Sequence, residues 1–93
     1  MTNQHNQNQR RPLGRLDKGA RGRIVALDEA GISSTLPPGE LERRLIEMGL
    51  VEGAEVEVIH EGFPGRDPIA VRVDEHAVAL RRSEACAVFI AAE

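Results

Sequence analysis

The spacing of apolar residues changes along the chain, and each spacing predicts a different kind of element. Five stretches show the alternation or the short unbroken apolar run of a β-strand. They are residues 21–28, 54–62, 67–74, 75–82 and 85–93. The segment Asp74–His76 is short enough for a hairpin turn. Five short strands with close turn signals predict a mainly β fold, a small and strongly bent antiparallel barrel.

One segment between the first two strands has helical periodicity instead. Leu41, Leu45 and Met48 recur at i, i+4 and i+7 and define an apolar stripe that Ile46 widens. This pattern predicts one short α-helix over about residues 38–48.

Two glycines follow the predicted helix. Gly49 stands where helices commonly end in a left-handed residue, and Leu50 can then fold back on the last turn. A glycine turn that binds phosphate comes before a helix, so that free amides point at the anion. Because Gly49 and Gly53 come after the helix, they predict a cap and a turn rather than a phosphate site.

The N-terminal segment lacks apolar periodicity. Residues 1–14 are rich in Asn and Gln, and such a segment cannot bury enough surface to offset its ordering entropy. We therefore expect a disordered polar tail over residues 1–14 and one folded domain over residues 15–93.

Composition narrows the function classes. The chain is 41% hydrophobic with two Phe and neither Tyr nor Trp, so we expect an aliphatic core without aromatic platforms for stacking nucleobases. The formal net charge of −3 gives no attraction to nucleic acid, and no nucleic-acid partner is expected. Because we find neither a signal peptide nor a membrane-length apolar run, we expect a cytoplasmic protein without direct membrane insertion.

Few residues are of a type that supports catalysis or metal binding. Cys86 is the single cysteine, which excludes an intramolecular disulfide, and we interpret it as a core residue of the last strand. His60, Glu61, Glu75 and His76 are of metal-ligand type and lie at strand ends that a barrel can bring together. Solvated strand ends are the alternative interpretation. No catalytic residues and no cofactor site are predicted, so a binding module is favoured over an enzyme.

Four ordered segments of the chain resemble the ferrous iron transport A (FeoA) family. They read GRIVALD, ERRLIEMGLVEGAEVEVI, DPIAVRV and AVALRRSEACAVFI, and the likeness covers about residues 16–91. The run Arg-Leu-x-x-Met-Gly-Leu-x-x-Gly, which begins at Arg44, is quite specific. The resemblance implies an SH3-like barrel, in agreement with the strand count. It also implies a small cytoplasmic accessory to FeoB, a membrane Fe(II) transporter with a cytoplasmic GTPase domain that would be the partner.

The resemblance also guides the choice of site residues, although a solvated surface is the alternative for the arginines. We expect the apolar residues Leu41, Leu45 and Met48 to hold the helix in place. We expect the arginines Arg44, Arg66 and Arg82 to contact the partner. The family usually has glycine before Asp67-Pro68, where this chain has Arg66, so the tip of that loop is expected to differ. Self-association through sheet edges is left open.

A second family shares the barrel. Iron-dependent repressors end in an SH3-like domain resembling FeoA, where it can supply metal ligands. This gives the alternative hypothesis of a transition-metal-binding or metal-responsive domain that uses His60, His76 and nearby carboxylates. The chain has no helix-turn-helix segment, so we do not expect it to be a repressor itself.

Overall fold

The alternating apolar residues build a six-stranded antiparallel sheet in the computed structural model, which describes residues 10–92. The strands are β1 (Arg10–Pro12), β2 (Arg21–Leu27), β3 (Glu55–Glu61), β4 (Ile69–Val73), β5 (His76–Leu80) and β6 (Val88–Ala92). Their order in the sheet is β1-β6-β2-β3-β4-β5. The helices are a 3₁₀ helix (Leu13–Arg15), α1 (Glu40–Glu47) and α2 (Arg82–Ala85). The predicted mainly β antiparallel fold is confirmed, with six strands in place of five.

Strand alternation separates the core from the surface. On β3 and β4 the inward residues are at most 3% exposed: Val56, Val58, Ile69, Val71 and Val73. The outward residues Glu57 and Arg72 face each other in register and form an ion pair at 3.0 Å. Register shifts between Ile24 and Ala26 and between Val58 and His60 interrupt the ladders, and such irregularities bend a sheet around its core.

The helix α1 packs as its stripe predicts but begins two residues later than expected. Leu41 and Leu45 are buried and Met48 is half-buried, whereas Ile46 is 50% exposed and lies outside the stripe. None of the helices within residues 10–92 has the length and apolarity needed to cross a membrane.

A distant carboxylate caps the start of α1. Glu29 accepts hydrogen bonds from the backbone N–H groups of Gly39 at 2.5 Å and of Glu42 at 3.0 Å. The Glu42 carboxylate in turn accepts from the N–H of Glu29 at 3.1 Å. Two amides that the helix itself leaves unpaired are thereby satisfied, and the loop before the helix is fastened to it.

The end of α1 is closed by the predicted glycine cap. The Leu50 N–H donates to the Leu45 carbonyl at 3.0 Å and the Gly49 N–H to the Ile46 carbonyl at 2.9 Å, the two bonds of a Schellman motif. Gly49 has a φ of 94°, and Leu50 is completely buried. A Cβ atom on Gly49 would lie 3.0 Å from Cε1 of His76.

The N-terminal boundary differs from the expected one. Residues 10–14 were assigned to the tail, but β1 pairs with β6 and the 3₁₀ helix buries Leu13 completely. Gly14 is buried as well, and it lies so close to α2 that a Cβ there would be 2.1 Å from the carbonyl oxygen of Arg82. The ordered part therefore reaches back at least to Arg10, and the rest of the expected tail lies outside the described residues.

The C-terminal strand is shorter than expected. β6 begins at Val88, and the residues before it form α2 and a turn. The Cys86 N–H donates to the Arg82 carbonyl at 3.1 Å, so Cys86 ends a helix and is only half-buried. Its expected place in the last strand is wrong, because Cys86 caps the end of α2 and β6 begins only at Val88. Ala85 and Ala87 are the fully buried residues of this segment.

We expect Gly49→Ala to lower the free energy of unfolding by about 1–3 kcal/mol, because alanine is strained at positive φ and its Cβ would press on His76. Chemical denaturation measures the change. Gly53→Ala is the matched control, since Gly53 has a φ of 91° but open space around a Cβ. An unfolding free energy of Gly49→Ala equal to that of the wild type would contradict this account of the cap.

Candidate interaction site

Arg82 joins α2 to three other segments of the chain. Its Nη1 donates to the carbonyls of Gly14 at 3.1 Å and Leu16 at 2.7 Å. Its Nε donates to the Arg66 carbonyl at 2.7 Å, and its Nη2 pairs with Glu61 at 2.8 Å. Only 19% of the side chain is exposed. The guanidinium is thus directed into the protein, although Arg82 was expected to contact a partner.

Arg66 occupies a backbone conformation that favours glycine. Its φ is 65°, in the left-handed region, which fits the glycine that the FeoA-like pattern has at this position. The side chain pairs with Glu61 through Nη2 at 3.0 Å and also contacts Asp17. It is 57% exposed. The arginine therefore gains ion pairs that a glycine lacks, and it keeps half of its surface available to solvent.

Glu61 is the acceptor at the centre of this cluster. Its carboxylate accepts hydrogen bonds from the side chains of Arg66 and Arg82 and, at 3.1 Å, from the backbone N–H of Lys18. The hydrogen bond from Arg66 is the largest cause that lowers the pKa of Glu61 below its ordinary value of 4.5, while burial opposes the shift. The same pair raises the pKa of Arg66.

Arg44 lies beside a groove formed by the loop before α1, α1 itself and the start of α2. The cavity has a volume of about 280 Å³ and is lined by Ile32, Ser33, Ser34, Thr35, Leu36, Leu41, Arg44, Arg81, Ser83 and Glu84. Within residues 10–92 neither Arg44 nor Arg81 forms an ion pair, whereas Arg43 on the same helix pairs with Glu40 and Glu47. Arg44 is therefore the most available of the three expected contact arginines.

The six expected site residues fall into three places. Leu41 and Leu45 are buried beneath α1 and Met48 is half-buried at its end, so these three residues pack the helix against the core. Arg66 and Arg82 meet at Glu61, and Arg44 lines the groove. Arg81, Ser83 and Glu84 border that groove, whereas Arg82 points toward Gly14.

The expected metal-ligand residues do not converge. His60 pairs with Ala70 and thus lies level with Ala79, toward the end of β5, whereas His76 begins that strand. The His76 Nε2 atom is 2.9 Å from the Met48 carbonyl oxygen. In the part of the chain that the structure describes, no three His, Cys, Asp or Glu side chains form a group that could hold a metal ion.

One exposed residue of interest is not among the site residues expected from the sequence. Phe63 lies in the loop between β3 and β4, and 94% of its surface is exposed. The available signal was an aromatic residue between Gly62 and Pro64-Gly65, a turn-rich segment that offers no periodic apolar partners.

Comparisons with known proteins give one family match. The family model of the FeoA domain matches residues 11–92. The chain is similar in structure to an iron uptake regulatory protein (FeoA), with a TM-score of 0.70, 24% identity and coverage of 90% of this chain and 99% of the other. It is also similar to Stenotrophomonas maltophilia FeoA complexed with zinc, a procaryotic SH3 domain protein, with a TM-score of 0.69, 28% identity and coverage of 87% and 93%.

The same fold occurs in a manganese-dependent transcriptional repressor, with a TM-score of 0.68 and 22% identity. There the match covers 87% of this chain and 40% of the repressor, so the likeness concerns one part of a longer protein. Comparison with curated proteins gives no match. These findings confirm the FeoA resemblance and the SH3-like fold.

We expect Arg82→Lys to lower the free energy of unfolding by at least about 2 kcal/mol, because lysine cannot reach four acceptors at once and leaves part-buried carbonyls unpaired. Denaturant titration measures the change. In the control Arg72→Lys, an exposed pair with Glu57 is replaced by a similar one, and we expect a change within about 0.5 kcal/mol. Equal effects of the two substitutions would contradict the joining role of Arg82.

The lowered pKa of Glu61 predicts a dependence of stability on pH. The ionised carboxylate stabilises the fold above the ordinary value of 4.5, and this contribution is lost as the pH falls through the lower pKa of the folded state. We expect the difference in Tm between wild type and Glu61→Gln to be largest near neutral pH and to shrink in acid. Glu75→Gln, at an exposed position, controls for the change in net charge. A Tm difference independent of pH would contradict the assignment.

Proposed function

The chain belongs to the FeoA domain family, which is associated with ferrous iron transport, and we propose that it is a cytoplasmic accessory protein that binds a FeoB-type Fe(II) transporter. The binding surface on the transporter is its cytoplasmic GTPase domain. The observation that carries this proposal is the family match over residues 11–92, nearly the whole chain. The Stenotrophomonas maltophilia relative is described in terms of a ferrous iron transport activating factor, which supports an accessory role in transport by analogy.

The groove beside α1 has the properties of a protein-binding surface. Leu36 and Leu41 contribute apolar surface to it, and Arg44 and Arg81 stand at its edge without an ion pair within residues 10–92. Charged groups at a rim select partners of opposite charge and speed association, while the apolar floor supplies affinity. The segment of the transporter that fits this groove is acidic with an apolar side chain between its carboxylates.

The two other expected arginines have separate roles in this proposal. Arg82 acts indirectly, because its guanidinium holds the loop between β3 and β4 against the 3₁₀ helix. Arg66 keeps half of its side chain exposed while it pairs with Glu61, so it can contact the partner without leaving that pair.

Titration of the transporter's soluble GTPase domain with the full chain tests the proposal. We expect Arg44→Ala to raise the Kd about five- to tenfold, because it removes an unpaired positive charge from the groove. Arg11→Ala is the matched control, since Arg11 is exposed on the edge strand β1 and forms no ion pair within the described residues.

Two results would contradict the proposal. Absence of binding by the folded wild-type chain at high micromolar concentrations would exclude the transporter domain as the partner. An equal loss of affinity in Arg44→Ala and Arg11→Ala would exclude the groove, because it would assign the effect to net charge alone.

A further inference from the structure

Phe63 is the most exposed large apolar residue in the part of the chain that the structure describes. Its exposed fraction is 94%, compared with 50% for Ile46 and 40% for Val51. The other phenylalanine, Phe89, is half-buried on β6 and lies under Arg10. A phenylalanine left almost entirely in water contributes nothing to the core. Single exposed apolar residues are common on protein surfaces, so it is the structure around Phe63 that distinguishes it.

The loop that carries Phe63 is fastened at its base. The Gly62 N–H donates to the Pro68 carbonyl at 2.8 Å, which closes the loop on itself. The Arg82 Nε donates to the Arg66 carbonyl at 2.7 Å, and the Arg82 backbone N–H donates to Asp67 Oδ1 at 2.9 Å. A loop held at its base restricts the backbone that carries Phe63, which reduces the backbone entropy lost when a partner binds it.

A shallow basic cleft adjoins the same loop. It has a volume of about 340 Å³ and is lined by Gly14, Arg15, Asp17, Gly65, Arg66 and Arg82. Three of these residues are arginines and one is acidic, and Glu61 pairs with Arg66 and Arg82, so three arginines against two carboxylates leave an excess of one positive charge. Arg15 is exposed and forms no ion pair within residues 10–92, and Arg66 is half-exposed. The complementary surface is therefore an apolar pocket with carboxylates at its edge.

We propose that Phe63 is the anchor of the protein–protein contact and inserts into an apolar pocket on the transporter's cytoplasmic domain, with carboxylates of that domain facing Arg15 and Arg66. This inference rests on the proposed function and deepens it by naming the contact. Large aromatic side chains that fill a partner's pocket, surrounded by polar contacts, are the usual centres of binding energy at interfaces.

Two other binding partners fit Phe63 and the adjoining cleft less well. A lipid bilayer needs several apolar residues or a strongly basic surface, but the loop offers only Phe63 and Pro64 and the chain carries a net charge of −3. A second copy that used its own groove to receive the basic cleft would bring Arg44 and Arg81 against it. Like charges would then face each other.

Fluorine NMR tests the inference directly, because the chain has only two phenylalanines. The full chain is labelled with 4-fluorophenylalanine, and Phe63→Leu assigns the two resonances. On addition of the unlabelled transporter GTPase domain, we expect the Phe63 signal to shift or broaden while the Phe89 signal changes less. In a parallel titration we expect Phe63→Ala to raise the Kd at least tenfold and Ile46→Ala to change it less than twofold.

The Tm of Phe63→Ala should equal that of the wild type, since the side chain is almost fully exposed. Binding of the domain without a change in the Phe63 signal or in the affinity of Phe63→Ala would overturn this inference and leave the proposed function standing. Absence of binding would overturn both. Two further results would also overturn it, both with a Phe63 signal that does not change on addition of the domain. One is a shift of that signal with anionic phospholipid vesicles, and the other is a shift with rising protein concentration.

Discussion

Hydrogen bonds from one side chain, the guanidinium of Arg82, join the two ends of this small barrel. The sheet runs from β1 to β5 in its hydrogen-bond order, so the two end strands need another connection. α2 follows β5 directly, the 3₁₀ helix follows β1, and Arg82 donates to the carbonyls of Gly14 and Leu16 beside that helix. Gly14 permits the approach, because any Cβ there would collide with the Arg82 carbonyl. An aliphatic core in which neither phenylalanine is fully buried gains from such polar closure, since little apolar area is available to fix the ends.

The same side chain connects the two ends of the sheet to the proposed binding surface. Through Glu61 and the Arg66 carbonyl it holds the loop between β3 and β4, and that loop presents Phe63 to solvent. Arg66 adopts a backbone conformation that suits glycine better, and its ion pairs with Glu61 and Asp17 offset the strain. The exposed residues proposed to bind the partner are therefore supported by Arg82 and Glu61, whose side chains are mostly buried. In this proposal, stability and recognition share the same few contacts.

The sequence predicted the elements whose signals are local. Alternation at Val56 and Val58 indicated β3, the stripe of Leu41 and Leu45 indicated α1, and Gly49 indicated the cap that the structure contains. β1 and α2 were missed because three or four residues are too few to establish a period, and their stability comes from contacts with distant segments. The role of Arg82 could not be predicted for a related reason: its acceptors come from three parts of the chain and are mostly backbone carbonyls, which carry no sequence signal. Likewise, the separation of His60 from His76 follows from strand register.

Native-state hydrogen exchange of Arg82→Lys, compared with the wild type, tests the joining role of Arg82 most directly. The account predicts a selective loss of protection at the amides of Leu16 and Gly62, which lie beside the acceptors of Arg82. The amides that pair β4 with β5 should lose no more protection than the fall in global stability accounts for, because their ladder does not involve Arg82. A loss of protection that is uniform over β4, β5 and these two amides would contradict the account, because it would show that Arg82 contributes to global stability without holding these particular segments together.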